Sequence, residues 1–515
     1  MIAALQQPLL LGLAVAAAVI ASAVLARRTR VPGPVYLVLA GLVVGVVPGV
    51  EEIRLPPDVV FYGFLPPLLY AAAFLTAPRE VRENWLSILV LAVGLTAATL
   101  FAVGGVAWAF VGALGAGGAF LLGAVLSPTD PVSATSVIGA TSAPERLRTI
   151  LEGESLVNDG VGLVAFSIAL TAVQRGSFSV TDGLLKFVQV SIGGIAFGVA
   201  LAFVLERVRR RIHDPQIEIA VSLFIPYLAY IPAERLHLSG ILATVACGVY
   251  FGWRSGGIFR PEVRLQSVAF WDVLTFVLAS VLFVLLGTQF RAVVSGLGRY
   301  STGTLVRDAL VVFGTVTVVR LAWMFTVPHL VSGLTRRGWS DIEPWQDRFV
   351  LGWSGMRGAL SLAAALSIPA TVAHRDEILY LTFTTILAGL VVLAVPLPYL
   401  LERLGFAAAE GEPQVEVRVK VTQAALQRLD ELAAEPWVDP ADVASLRRLY
   451  ESRIERLRLR SGVPPDGDVH LRLRRELLAA ERAELQRLER EGEISATAAR
   501  QIERQLDFEE SSLTV

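Results

Sequence analysis

The chain has 515 residues, of which 54% are hydrophobic and only 18% charged, with a formal net charge of −1. Soluble domains carry about a quarter charged residues, so a soluble globular class is excluded. The net charge identifies no partner and gives no reason to expect a nucleic acid. The single cysteine, Cys247, lies in an apolar run and excludes an intrachain disulfide.

Apolar runs of the length a spanning helix needs, about 20 residues, recur from Leu9 to Leu401. The first, Leu9 to Ala26, is followed rather than preceded by arginines (Arg27, Arg28 and Arg30), so it reads as a retained span and not a signal peptide. Thirteen spans are predicted, at 8–26, 32–49, 59–76, 85–111, 117–139, 149–173, 184–205, 215–232, 237–253, 268–289, 305–330, 348–371 and 377–401. Beyond Leu401 the pattern stops, and half of the 46 acidic residues lie there. The fold class expected is an all-α polytopic membrane protein, with a transmembrane domain over 1–401 and a helical cytoplasmic tail over 402–515.

The loops test this count. Odd-numbered loops hold seventeen arginines, including Arg79, Arg146, Arg148, Arg207 to Arg211 and Arg254, while even-numbered loops hold six, among them Arg175, Arg235 and Arg291. Positive charge marks the cytoplasmic side. The N-terminus is therefore expected outside the cell membrane and the tail inside. Thirteen divides as six, one and six, the pattern of an inverted repeat. Such a repeat predicts that spans five and twelve are special in the same way.

Span five carries Ser127-Pro128-Thr129-Asp130-Pro131. Two prolines three residues apart break a helix, and Asp130 followed by Pro131 signals the start of a new one. Span twelve carries Gly352-Trp353-Ser354-Gly355-Met356-Arg357-Gly358, a glycine-rich break with an arginine inside it. Broken backbone at membrane depth is tolerated only inside protein or along a water-filled cavity. Asp130 suits the positive N-terminal ends of such half-helices and Arg357 the negative C-terminal ends.

Span six begins Leu151-Glu152-Gly153-Glu154-Ser155-Leu156-Val157-Asn158-Asp159-Gly160. At about 100° per residue, Glu154, Asn158, Ser155 and Asp159 share one face. They supply carboxylate, hydroxyl and amide oxygens, the hard ligands an alkali cation prefers. Asp159 falls about 15 Å into a helix starting near residue 149. An intramembrane carboxylate costs a few kcal/mol and persists only if paired or working. Asp159 can hold a cation or a proton but not comfortably both, which is a means of exchange. Arg320 in span eleven and Arg357 are the two candidate partners of Glu154, and both read as charge-compensating scaffolding rather than ligands.

The rival classes are a potassium/proton exchanger, whose ligand chemistry is the same, and a cation channel, which would pass current. An enzyme is not expected. Gly153-Glu154-Ser155-Leu156-Val157 lacks the second glycine of a nucleophile elbow, and no Gly-Lys-Ser or Gly-Lys-Thr loop suggests a nucleotide-driven pump. No cofactor is expected, and His213, His237, His329, His374 and His470 lie at loops or span ends.

Four segments resemble the monovalent cation/proton antiporter superfamily, in its electroneutral bacterial sodium/proton branch. They are Phe64-Leu65-Pro66-Pro67-Leu68, Thr129-Asp130-Pro131, Glu154-Ser155 with Asn158-Asp159, and Gly355-Met356-Arg357-Gly358. The resemblance spans nearly the whole membrane body. It implies a homodimer that exchanges sodium or lithium for protons by rigid movement of one bundle against another. It implies Asp159 as the shared cation and proton carrier, with Glu154, Ser155 and Thr129 as supporting sodium ligands. Asn158 and Asp130 would organise the crossing. Because Asn and not Asp stands at 158, it implies one proton per cation. The Phe64–Leu68 stretch is read here as a helix kink.

The tail alternates apolar and charged residues at helical spacing, as at Leu471, Leu473, Leu477, Leu478 and Leu485, and Pro464-Pro465 is expected to split it. Its ligand or partner is not legible. Trp253, Trp271, Trp339 and Trp345 are expected to anchor helix ends at the membrane interface.

Overall fold

The structure is a computed structural model. It describes residues 2–29, 31–46, 56–76, 78–139, 141–176, 179–212, 214–258, 261–295, 297, 301–334, 344–406, 414–433, 435, 438–461, 477, 480–485, 487 and 488. Helices account for nearly all of these. In chain order they are α1 (Ile2–Arg28), α2 (Gly33–Val46), α3 (Leu65–Leu75), α4 (Pro78–Glu83), α5 (Trp85–Leu89), α6 (Thr96–Phe110), α7 (Gly115–Leu126), α8 (Val132–Ile138), α9 (Glu145–Arg175), α10 (Val180–Arg209) and α11 (Pro215–Arg235). There follow α12 (Gly240–Ile258), α13 (Pro261–Thr288), α14 (Phe290–Ser295), α15 (Thr302–Leu334), α16 (Trp345–Trp353), α17 (Ala359–Leu366), α18 (Arg375–Ala388), α19 (Leu397–Arg403), α20 (Gln414–Leu432) and α21 (Pro440–Ser461).

Seven of the described helical stretches are long and apolar enough to cross a membrane, from Trp85–Phe110 to Arg375–Arg403, and four shorter apolar helices accompany them. The protein is thus an all-α, multi-pass membrane protein. Residues up to Ala408 form one compact unit and those from Ala409 another, in which α20 packs on α21.

Local chemistry sets the helix ends. Asp214 caps α11, its Oδ1 accepting the N–H groups of Gln216 at 2.8 Å and Ile217 at 3.1 Å, with Pro215 in the first turn where its missing donor costs nothing. Ser179 caps α10 through the N–H of Asp182. α9 stops at Gly176, whose φ of +67° is left-handed.

Among the described residues three π-helical stretches interrupt the long spans, at Val59–Phe64 before α3, Val90–Leu95 between α5 and α6, and Gly389–Ala394 after α18. The first leads into the Phe64–Leu68 motif: α3 begins at Leu65, with Pro66 in its opening turn.

Glycine pairs at four-residue spacing let helices approach closely. Side chains at Gly41 and Gly45 of α2 would run into the α13 backbone at Val284 and Thr288. Gly194 and Gly198 of α10 meet Ser239 and Ala243 in the same way, and Gly248 and Gly252 of α12 meet Tyr70 and Phe74 of α3. Each is a small-xxx-small contact of the kind membrane helices use in place of hydrophobic driving force. The main apolar core runs through α2, α3, α6 to α9 and α15 to α19, and a smaller one joins α3 to α10–α13 around Trp271, Tyr70 and Phe251.

Trp271 corrects an expectation. It is 1% exposed and packs on Tyr70 and Phe270, so it is a core residue and not an interfacial anchor. Trp253 and Trp345 are more than half exposed, as anchors would be. Trp339, His213, His470 and the Pro464-Pro465 split lie outside the described residues. Within the described tail the helices part earlier, between Leu432 and Pro440.

Candidate functional site

Two helix breaks meet inside the membrane body. α7 ends at Leu126 and α8 begins at Val132, leaving Ser127 to Pro131 non-helical. α16 ends at Trp353 and α17 begins at Ala359, leaving Ser354 to Gly358 non-helical. The second break therefore starts two residues later than the glycine run suggests, because Gly352 and Trp353 stay in the helix. The breaks are bonded to each other: the Asp130 N–H donates to the Met356 carbonyl at 2.9 Å. Asp130 Oδ1 turns back to accept the Val132 N–H at 3.0 Å, so the carboxylate serves the start of α8 as its sequence position suggested. Arg357 Nη1 donates to the Ser127 and Pro128 carbonyls at 2.9 and 2.7 Å. Those carbonyls follow the C-terminal end of α7, where the helix dipole favours a cation. A Cβ on Gly358 would fall on the Asp130 carboxylate, and one on Gly355 would strike the Arg320 side chain. Glycine is needed at both positions for this close approach.

α9 crosses beside the breaks, with Gly162 against the Pro128 ring. It begins at Glu145, four residues before the expected start, and Asp159 falls near the middle of its 31 residues. The charged face divides in two. Glu154 and Asn158 are buried, at 1% and 0% exposure, whereas Ser155 and Asp159 are half-buried. Glu154 takes a bidentate pair from Arg320, with Nη1 to Oε1 at 2.5 Å and Nη2 to Oε2 at 2.8 Å. Arg320 Nε also donates to the Leu351 carbonyl at 3.0 Å. Of the two arginines open as partners of Glu154, geometry selects Arg320. Thr129 joins the network: its hydroxyl donates to Glu154 Oε1 at 3.0 Å and accepts from Asn158 Nδ2 at 2.5 Å. One buried chain therefore links α9, the first break, α15 and the end of α16.

Open valence remains at specific atoms. Asn158 Oδ1 is buried and has no hydrogen-bond partner among the described residues, and neither has Arg357 Nε or the Ser361 hydroxyl. Buried polar atoms are nearly always bonded, so orphans in a polar site call for an occupant such as water or an ion. Asp159 makes no hydrogen bond or ion pair among the described residues, and Asp130 is near enough to act on it electrostatically. Hard oxygen donors without a bound cation side chain are what an alkali ion can use.

All eight residues singled out from the sequence thus fall on the two breaks, α9 and α15. The sequence reading missed the backbone carbonyls of Leu351, Ser127 and Pro128, because a main-chain acceptor leaves no mark on residue identity. Ser361 had a signal, a hydroxyl in an apolar helix just after a break, and was passed over.

A family model described as "Sodium/hydrogen exchanger, transmembrane" matches residues 15–403. The chain belongs to the sodium/hydrogen exchanger family. The exchanger is accordingly a secondary active antiporter and not an enzyme. It is 32% identical to an uncharacterised sodium/proton exchanger of Mycobacterium tuberculosis over 97% of this chain and 95% of the relative. It is 30% identical to a Bacillus subtilis protein named as a sodium, potassium, lithium and rubidium/proton antiporter, over 78% of this chain and 62% of that one. The exchanger's fold is similar to that of the sodium/proton antiporter MjNhaP1 of Methanocaldococcus jannaschii, with a TM-score of 0.58 at 21% identity, covering 76% of this chain and 99% of that one.

Proposed function

We propose that the exchanger moves sodium or lithium against protons across the cell membrane, one for one, with both cargoes competing for Asp159. The observation that carries this reading is the contrast within α9: a half-buried carboxylate without a hydrogen-bond or ion-pair partner among the described residues, set beside a carboxylate locked by Arg320. A free acid near the middle of a spanning helix is costly unless it works. Asp159, Ser155 and Asn158 Oδ1 are assigned as the oxygens nearest to taking the cation. Thr129 and Glu154 shape the site from behind and add ligands as it closes. Asp130, Arg357 and Arg320 neutralise the crossing, so that only Asp159 changes charge. An uncharged Asn158 beside it leaves one carboxylate to exchange one cation for one proton, which makes the cycle electrically silent.

We further infer thirteen spans in two inverted sets of six, the N-terminus outside and the tail inside, alternating access by movement of one bundle, and a homodimer. The two interrupted helices, α7–α8 and α16–α17, support the repeat, since each contributes one half of the crossing. The tail is taken as a separate cytoplasmic unit with a regulatory or dimer-stabilising role.

The test is proton flux in proteoliposomes holding a lumenal pH dye, given pulses of sodium, lithium and potassium. The wild-type chain is expected to move protons in answer to sodium and lithium, and Asp159→Asn to move none. Proton movement by the Asp159→Asn variant would remove Asp159 from its role, and a current growing with turnover would end the one-for-one cycle. The second reading, potassium/proton exchange, is favoured by the breadth of cations in the Bacillus relative's name, and dominance of the potassium pulse would establish it.

A further inference from the structure

The C-terminal ends of α10 and α12 lie together, because Glu206 of α10 accepts hydrogen bonds from Tyr250 at 2.5 Å and Arg254 at 3.2 Å, both on α12. Arg210 also donates to Glu206, at 2.6 Å. One turn away, buried Arg209 pairs with buried Glu218 of α11 at 3.5 Å and lies over the Phe251 ring. These two carboxylates are thus consumed by the fold, and the remaining arginines of this end face outward.

Three of them keep donors in hand. Arg210 and Arg254 are 57% and 53% exposed at the side chain, and Arg207 is exposed. Arg207 gives Nη1 to the Phe203 carbonyl and lies over the Phe203 ring, leaving Nε and Nη2 without partners among the described residues. Arg254 likewise holds back Nε and Nη2, and Arg210 holds back Nη1. Directly toward the membrane interior, α10 turns out an apolar strip, with Val199, Phe203, Val204 and Val208 all at least 42% exposed. Trp253, 57% exposed, stands beside Arg254 in the chain, an aromatic of the kind that sits at headgroup level.

We propose that this end of α10 and α12 is a binding site for an anionic phospholipid. The phosphate and its neighbouring anionic group would take the spare donors of Arg207, Arg210 and Arg254, and the acyl chains would lie on the strip from Val208 to Val199. Charge and polarity follow the same axis: cationic at the helix end, apolar immediately above it, as a headgroup and its chains require. Planar guanidinium donors match phosphate oxygens, and basic clusters at the membrane edge hold anionic lipids. A second copy of the chain fits less well, because a twofold contact through this end would bring the same arginines toward each other. The proposal needs the chain to sit in a bilayer but does not depend on which cation it carries.

The test is native mass spectrometry of the full-length chain in detergent, with phosphatidylglycerol or phosphatidylcholine of identical acyl chains added. Phosphatidylglycerol is expected to stay bound and phosphatidylcholine to leave. Arg207→Gln/Arg254→Gln should weaken phosphatidylglycerol retention about tenfold or more, from the loss of two interfacial charges. Arg207→Gln alone leaves every Glu206 bond in place, so it separates lipid loss from misfolding, and it should weaken retention several-fold. Arg175→Gln/Arg291→Gln removes the same charge elsewhere and should change nothing. The proposal falls if the Arg207 variants retain the lipid as the wild type does, or if the Arg175 variant loses it equally. It also falls if millimolar inorganic phosphate displaces the lipid, which would assign the site to free phosphate, or if the Arg207 variants alter only the dimer mass, which would assign it to a second copy.

Discussion

Glu154 and Arg320 stand 166 positions apart in the chain and meet in a bidentate pair with almost no access to solvent. Breaking such a pair by removing one partner leaves an unpaired buried charge and costs about 3–5 kcal/mol, whereas replacing both by apolar residues is often neutral. Arg320→Met and Glu154→Leu are therefore each expected to lower the thermal unfolding temperature in detergent strongly, and the double variant to recover most of the loss. If the double variant is no better than the singles, the pair is not a unit. Thr129→Val should act more gently. It removes one hydroxyl that serves both Glu154 and Asn158, at about 1–3 kcal/mol for the groups left unsatisfied, and it should weaken apparent sodium affinity in the flux assay more than it slows the maximal rate. At this scale much was legible. An acid, an amide and a hydroxyl in an apolar helix are expensive, and expense marks them. The partner of Glu154 was not legible, since either of two intramembrane arginines satisfied the sequence. Nor was the burial of Trp271, because a tryptophan's composition signal is the same in a core as at an interface.

The two breaks were readable from proline and glycine, whose effects are local. The π-helical stretches were not, because one extra residue per turn is accommodated by neighbouring helices and leaves no periodic trace in an apolar sequence. One of them, Val90–Leu95, packs directly against α9, so the helix carrying Asp159 rests on an irregular surface rather than a regular groove. The glycine seams were written in the sequence as Gly41-Leu-Val-Val-Gly45, Gly194-Ile-Ala-Phe-Gly198 and Gly248-Val-Tyr-Phe-Gly252, but spacing alone does not say which helix answers each one. Gly287 of α13 completes the first seam, where a Cβ would fall on the Val38 carbonyl. Gly287→Val is expected to force α2 and α13 apart and cut the yield of monodisperse protein on size exclusion. Gly314→Ala, whose surroundings in α15 are open, should leave it unchanged. Equal losses would mean that the seam carries no special weight.

Across the whole molecule, two of the thirteen expected spans fall outside the seven long apolar helices among the described residues for a physical reason. An interrupted span is two short helices, and each half falls below the length that identifies a crossing. α7 with α8 and α16 with α17 are such cases. The proposed orientation rests on the arginine asymmetry between loops, and α9 offers a direct check because Arg148 and Arg175 stand exposed at its opposite ends. In a Cys247→Ala background, Arg175→Cys should react with an impermeant maleimide added to intact cells, and Arg148→Cys only after the membrane is opened. The reverse pattern would invert the protein in its membrane.

The long reach of the Glu154–Arg320 pair also bears on how the protein is made. Glu154 emerges from the ribosome long before Arg320, and until α15 arrives the membrane insertion machinery handles α9 with an unneutralised acid on its buried face. A chain cut short before Thr302 therefore lacks Arg320 and leaves Glu154, near the start of its sixth predicted span, without the partner it has in the folded protein.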